Sequence, residues 1–488
     1  MVNLFKHFGI GIFVFALALS ITGCANPTDS GTPDNGSGNS IPDDNDDGDD
    51  GDIPDDGDDT GNVIILDIPD TFIITGREEA FRATFNGVIV PGAQGVPIQD
   101  VINAVRTHAG GTSVSIHFYG GEDALYIGTD WVNFADEGGE RWGEITLTGR
   151  ISSSNPNSSQ ATVALSSATT VHSAAYIANI STGSSNRALR NNSTGVVNII
   201  DGIVKTSFRG VAVLHNSTGS VNISGGTVTA GGTNGIAVRN DNSGRISVSG
   251  TATVTSANTS TSQGTIVLSS SGRDTGVRLE ITGGEVLNTS NGTNSRVINN
   301  SGNGAVRSSG DAVLSGGQGT IVRNAGSGTV SIDGNAMLSA TGSTSVIVRN
   351  MDSGALRIGG NATLLTTGRG ARAIQSSAES TGIISIYGEA KIISANQERI
   401  QGTIHLAGDG GSGRRLEITG GEVLNTAEHA EATAVHNTSA DSVEISGGYV
   451  SGRIAIRNPG GGPVNITPPA EVKGELIGEN INALGISD

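Results

Sequence analysis

Val221–Val228 reads V-N-I-S-G-G-T-V, and the phrase returns along a chain of 488 residues. It stands as L-E-I-T-G-G-E-V at Leu279–Val286 and again, letter for letter, at Leu416–Val423. V-E-I-S-G-G-Y-V at Val443–Val450, I-S-V-S-G-T-A-T-V at Ile246–Val254 and L-R-I-G-G-N-A-T-L at Leu356–Leu364 are looser copies. Apolar residues alternate with polar ones, a Gly turn follows, and another apolar residue comes after it. That order is a short strand, a corner and a second strand. With the second apolar residue as marker, copies fall at Leu165, Ile199, Ile223, Val248, Ile281, Ser308, Ile332, Ile358, Ile386, Ile418, Ile445 and Ile466, 21 to 34 residues apart. Leu147 reads as an incomplete first rung. Units of that size cannot bury an apolar face alone and stack into a solenoid.

A second phrase lies upstream of each marker. It is A-V-R-N at Ala237–Asn240, I-V-R-N at Ile321–Asn324 and Ile347–Asn350, and A-I-R-N at Ala455–Asn458. A-L-R-N at Ala188, V-L-H-N at Val213 and A-V-H-N at Ala434 are variants. An Asn recurring at one corner tolerates left-handed backbone, and its amide can pair with the Asn above and below. Asn240, Asn324, Asn350 and Asn458 are therefore expected to form a structural ladder. The expected fold is all-β, a parallel β-helix of about 11–12 coils at ~4.8 Å each. Gln263–Ile266 and Leu279–Thr289 recur as Gln401–Ile404 and Leu416–Thr426, so a block of coils was copied together.

Composition agrees. Gly numbers 74, aromatics make up 3%, and Lys is scarce, which suits turn-rich coils over thin aliphatic layers rather than a spherical enzyme core. The net charge of −19 is unevenly placed, because 13 Asp fall between Ala25 and Thr60, a stretch without Glu, Lys or Arg. The rest is mildly acidic and offers no electrostatic basis for binding nucleic acid. Cys24 is the one Cys, so neither an intramolecular disulfide nor a Cys-based metal cluster can form.

Residues 1–23 carry Lys6 and the apolar run Phe8–Ile21, too short for a comfortable membrane span and shaped like a secretory signal. Their end, Leu19-Ser20-Ile21-Thr22-Gly23-Cys24, resembles the bacterial lipobox. That resemblance implies acylation of Cys24 and anchoring at the outer membrane or cell surface, each buried CH₂ adding about 0.8 kcal/mol. Residues 24–61 read as an acidic, flexible tether. Asp43–Gly48 matches the opening of an EF-hand loop, but Pro54 stands where the closing Glu belongs. Diffuse cation binding and no cofactor are expected.

Residues 62–143 hold both Trp and lack the repeat. Ile98, Val101, Ile102 and Val105 share one face of a predicted helix, begun by Pro97 and ended at Gly110-Gly111. The segment reads as an N-terminal cap over the open first coil, with 144–488 forming the coils. His108, His117, Asp123, Asp130 and Glu140 have no ligand spacing and read as surface polar residues.

From about Ile98 onward the repeats resemble the parallel β-helix superfamily with the pectate-lyase-like fold. More closely they resemble the Gly/Ser/Thr-rich I-S-G-G-x-V repeat lipoproteins and adhesin-like surface proteins of bacteria. The resemblance implies a right-handed coil. It covers enzymes and non-enzymes, so activity has to be argued from a site. Hydrolases and lyases of this fold need converging carboxylates. Glu280/Glu285 and Glu417/Glu422 are the best acidic pairs and are expected outward and solvated, while Asp201, Asp311 and Asp333 fall on separated rungs. No catalytic or metal residue is expected.

Arg190, Arg239, Arg323, Arg349 and Arg457, with His215 and His436, make a broken outward stripe suited to an anionic glycan. Asp241 and Asp352 are expected to neutralise two of the arginines, with solvent screening the rest. A Thr face at Thr227/Thr229 and Thr253/Thr255 is broken by Glu285, Met337 and Lys391. The expected function is non-catalytic: adhesion, binding or envelope structure by a lipid-anchored β-helix. Its expected partners are the membrane and glycans or surface proteins of host or envelope. The alternative is a surface-tethered polysaccharide lyase or glycoside hydrolase.

Overall fold

The computed structural model describes residues 68–77, 79–269, 276–408 and 413–484. The signal segment, Cys24, the acidic tether and the Asp43–Gly48 motif lie outside the described residues.

Each coil contributes three strands. In the coil holding the opening phrase, Val211–His215 belongs to a first sheet, Ser220–Ile223 to a second and Thr227–Ala230 to a third. Each pairs in parallel with its counterpart one coil on, so that Val213 faces Val238, Ile223 faces Val248 and Val228 faces Val254. Val221, Ile223 and Val228 are fully buried, and one continuous aliphatic core runs through the stack. This is a parallel β-helix, and the alternation of the repeat is the reason: strands of four residues expose every second side chain.

The Gly-Gly corner has a steric origin. A Cβ on Gly225 would lie 2.2 Å from the carbonyl oxygen of Ile200 in the preceding coil. Gly226 has φ of 65°, and its Cβ would meet the carbonyl oxygen of Gly202 at 2.5 Å. Neither position accepts a side chain without moving backbone.

The register corrects one marker. The second-sheet column runs Ile116, Leu147, Ser173, Ile199, so Ser173 and not Leu165 holds the marker position. Leu165 lies on the first sheet, opposite Asn191. Ser173 is polar yet 1% exposed, which hid it from a hydropathy reading and produced the longest apparent interval. Ser308 does occupy the column, between Ile281 and Ile332. At the other end Ile481–Ala483 pairs with Val464–Ile466 and adds a rung.

The N-terminal end carries an antiparallel meander of Thr71–Arg77, Ala80–Phe85 and Val88–Val96, joined in parallel to Val114–Phe118 through Thr71–Ile74. Helix α1, Ile98–Ala109, begins after Pro97 and stops at Gly110, whose φ is 58°. Its buried residues are Ile98, Val101, Ile102, Val105 and Arg106. Arg106 donates from Nη1 to the carbonyl of Ala135 at 2.8 Å and pairs with Glu137 at 3.2 Å, tying the helix to the loop beside it. His117 Nδ1 lies 3.0 Å from Thr148 Oγ1, and His108 packs edge-on against Phe72.

Candidate functional site: an arginine face beside an asparagine ladder

The inward column at the end of the first-sheet strands runs Asn191, His215, Asn240, Leu268, Asn300, Asn324, Asn350, Ser376, Leu406 and Asn437. Each Asn turns its amide into its own corner. Nδ2 of Asn324 donates to Gly328 at 2.9 Å, that of Asn350 to Gly354 at 2.7 Å and that of Asn458 to Gly462 at 2.8 Å. Amides also join coils, from Asn300 to Asn324 at 2.9 Å, Asn324 to Asn350 at 3.0 Å and Asn437 to Asn458 at 2.9 Å. Asn240 sits between His215 and Leu268, and its side chain bonds only within its corner, donating to Gly244 O and accepting from Asn242 N, with no amide of a neighbouring coil.

Left-handed backbone is not why Asn recurs there. The non-Gly residues with positive φ among the described residues are Asp70, Glu79, Asn86 and Asn480, and none is in the ladder. Hydrogen bonding selects the amide: buried backbone carbonyls at each corner need a donor.

His215 is a correction to the outward stripe. V-L-H-N suggests that Asn216 holds the ladder position, but His215 does, fully buried, with Leu214 taking the outward place between Arg190 and Arg239. Its Nε2 lies 3.0 Å from the carbonyl oxygen of Gly219 and donates to it, as the amides do elsewhere. Burial above all drives its pKa down to about 4, so the ring is neutral at pH 7.

The outward neighbours of the ladder are Arg190, Leu214, Arg239, Val267, Asn299, Arg323, Arg349, Gln375, His405, His436 and Arg457. Two members of the predicted stripe are neutralised locally. Arg239 pairs with Asp241 at 2.7 Å, and Arg457 pairs with Glu431. Asp352 does not serve Arg349; it accepts the backbone N–H of Ser353 at 2.6 Å. His405 and His436 stack with ring centroids 5.2 Å apart, each held near pKa 4 chiefly by burial.

A second outward position, three residues earlier in the strand, escaped the sequence reading. It holds Arg187, Arg296 and Arg372. Stacking brings Arg296, Arg323, Arg349 and Arg372 onto four successive first-sheet strands, Arg296–Asn300, Thr320–Asn324, Val346–Asn350 and Arg372–Ser376. All four are half-exposed. Arg323 donates to Asn299 Oδ1 at 3.0 Å and Arg296 to the carbonyl of Thr261. Among the described residues none of the four has a carboxylate at ion-pair distance, and Nε of Arg349 and of Arg372 is buried without a partner. Burial, then Arg323 and Arg349, brings the pKa of Arg296 down to about 10. Burial and the charge of Arg349 also lower those of Arg323 and Arg372. The cluster is self-repelling, yet Arg296 stays cationic at neutral pH.

Three loops of shared pattern, S-x-N-x₄-Q-x-T, border this face at Ser153–Thr162, Ser256–Thr265 and Ser394–Thr403. Each is braced alike. Asn258 Nδ2 donates to Gln263 Oε1 at 3.3 Å and Asn396 Nδ2 to Gln401 Oε1 at 3.2 Å, while Ser256–Thr265 and Ser394–Thr403 hydroxyls lie 2.8 and 2.6 Å apart. The loops lean over the first sheet. Ser159 accepts from Arg190, Ser262 accepts from Asn299 at 2.9 Å, and Arg399 and Ile400 line a recess with His436 and Arg457. The four arginines occupy the bay between the second and third loops. Glu398, beside Gly370, marks its far end.

The acidic pairs are held elsewhere. Glu280 pairs with Arg245 and Glu417 with Arg414, whereas Glu285 is exposed. Asp311 accepts from Asn335 at 3.0 Å and Asp333 from Tyr387 at 3.4 Å. Comparison of the chain with protein-family models, curated proteins and solved structures finds no match.

Proposed function

We propose that this chain is a lipid-anchored protein of a bacterial surface, a β-helical rod held at Cys24 on an acidic tether and serving adhesion, binding or envelope architecture without catalysis. The observation that carries the reading is the arginine bay: four part-buried arginines on a sheet of paired strands, with no carboxylate at ion-pair distance among the described residues. A face built on paired strands is organised before a ligand arrives, which lowers the ordering entropy of binding. The ion-paired state of Glu280 and Glu417 disfavours acid–base work at those positions. The lipobox-like ending of the signal segment supports the anchor.

The test uses the full chain on a glycan array, with release of sugar ends read from the same wells, and Cys24→Ala in cell fractionation. Binding without release, and movement of Cys24→Ala from the membrane to the soluble fraction, are expected. Release of reducing ends or unsaturated products sinks the non-catalytic reading. Unchanged membrane association of Cys24→Ala sinks the anchor.

A further inference from the structure

We propose that the bay of Arg296, Arg323, Arg349 and Arg372 is the binding site for one strand of a linear sulfated glycan lying along the rod axis. The inference rests on the non-catalytic binding role above and names its ligand class.

Arg323 and Arg349 face each other across adjacent strands, so their stems rise about 4.8 Å apart. A carboxylate has two oxygens and is satisfied by one guanidinium fork. A sulfate ester presents three terminal oxygens and can bridge two forks at that spacing. Arg296 and Arg372, one strand further out on either side and three residues (roughly 10 Å) nearer the strand starts, would receive sulfates projecting to that side of the polymer. Arg349 stands opposite Arg323 and its charge acts on Arg296, Arg323 and Arg372, so an anion at that position relieves an existing charge conflict.

The floor between the arginines offers Thr320 and Gln375, both part-exposed and suited to sugar hydroxyls, while the buried Asn299 is already bonded to Ser262 and Arg323. It holds no aromatic ring, whereas single-stranded nucleic acid binding relies on base stacking. Four strands span roughly 14 Å along the axis, and the loops Ser256–Thr265 and Ser394–Thr403 flank them, the first touching Arg296 and Asn299 and the second bonded to Arg369 O, which fits a short stretch of polymer.

The probe is immobilised heparin, with the full chain in solution at about 150 mM salt, near the physiological value at which exposed charges are strongly screened. Desulfated heparin, polygalacturonate, a single-stranded oligonucleotide and phosphatidylglycerol vesicles are the comparison surfaces. Arg323→Ala/Arg349→Ala is compared with Arg239→Ala/Arg457→Ala, whose arginines are already paired, and thermal melts verify that both variants fold. We expect heparin binding that falls about tenfold or more in the first variant and changes by less than about twofold in the second, since desolvated charge contacts outweigh screened ones. Absence of heparin binding, equal losses in both variants, or binding to any comparison surface as tight as to heparin overturns the proposal. Sugar-end release in the same wells reports separately on the non-catalytic reading.

Discussion

Asn324 donates through one Nδ2 to two acceptors, Gly328 O at 2.9 Å within its own corner and Asn350 Oδ1 at 3.0 Å in the next coil. One buried amide thus closes a turn and joins two rungs. Water cannot replace either partner, since Asn324 is 0% exposed.

Asn324→Ala is expected to destabilise the rod by about 2 kcal/mol, the usual cost of leaving buried polar groups unsatisfied. Asn240→Ala should cost less, because its column neighbours are His215 and Leu268 and it makes no amide-to-amide bond. Urea denaturation midpoints decide the matter. Equal losses at the two sites would remove the inter-coil contribution.

His215, His405 and His436 each have a folded pKa near 4 against 6.5 when unfolded. The unfolded chain therefore binds more protons between those values, and stability is present in full above pH 6.5, declines as pH falls toward 4 and levels off below. His215→Asn restores the ladder amide and should flatten part of that decline. A denaturation midpoint independent of pH across this window would show that the three rings are not held neutral.

Arg415 is 1% exposed and lies 3.2 Å from Asp441, also donating to Ser376 Oγ at 3.0 Å and Ser377 O at 2.7 Å. Asp441→Leu leaves a buried guanidinium without its counter-ion and is expected to cost about 3–5 kcal/mol. Arg415→Met combined with Asp441→Leu should lose less than the single variant. A double-mutant cycle with no coupling between the two sites would contradict the pairing.

Gly226→Ala places a Cβ against Gly202 O at a positive φ and is expected to cost about 1–3 kcal/mol. Thr227→Ala, half-exposed next door, should change stability by less than about 0.5 kcal/mol. The pair is read by thermal melting. A Gly226→Ala melt matching the parent would show that the corner relaxes freely.

Much of this fold is written locally. The alternation in V-N-I-S-G-G-T-V, the two glycines of its corner and the one-faced helix from Ile98 act through neighbours a few residues away, so they are legible without coordinates. Asn324 and Asn350 were legible as a ladder because both copies keep the same phrase in the same phase. His215 was not, because V-A-V-L-H-N admits two phases and a shift of one residue exchanges the two faces of a strand. Ser173 is hidden for a different reason, its polarity masking a buried position.

By itself, then, the sequence determined the repeat, the corners, the helix from Ile98 and the Asn324–Asn350 rung, because each is written in local hydropathy, turn sterics or a phrase repeated in one phase. The tertiary structure alone decided which charges share a face. Arg296, Arg323, Arg349 and Arg372 are separated by a whole coil at each step, at different places in their strands, and the intervals between coils vary with loop length. Only stacking in register turns four scattered guanidiniums into one bay, while Arg239 and Arg457 find carboxylates beside them.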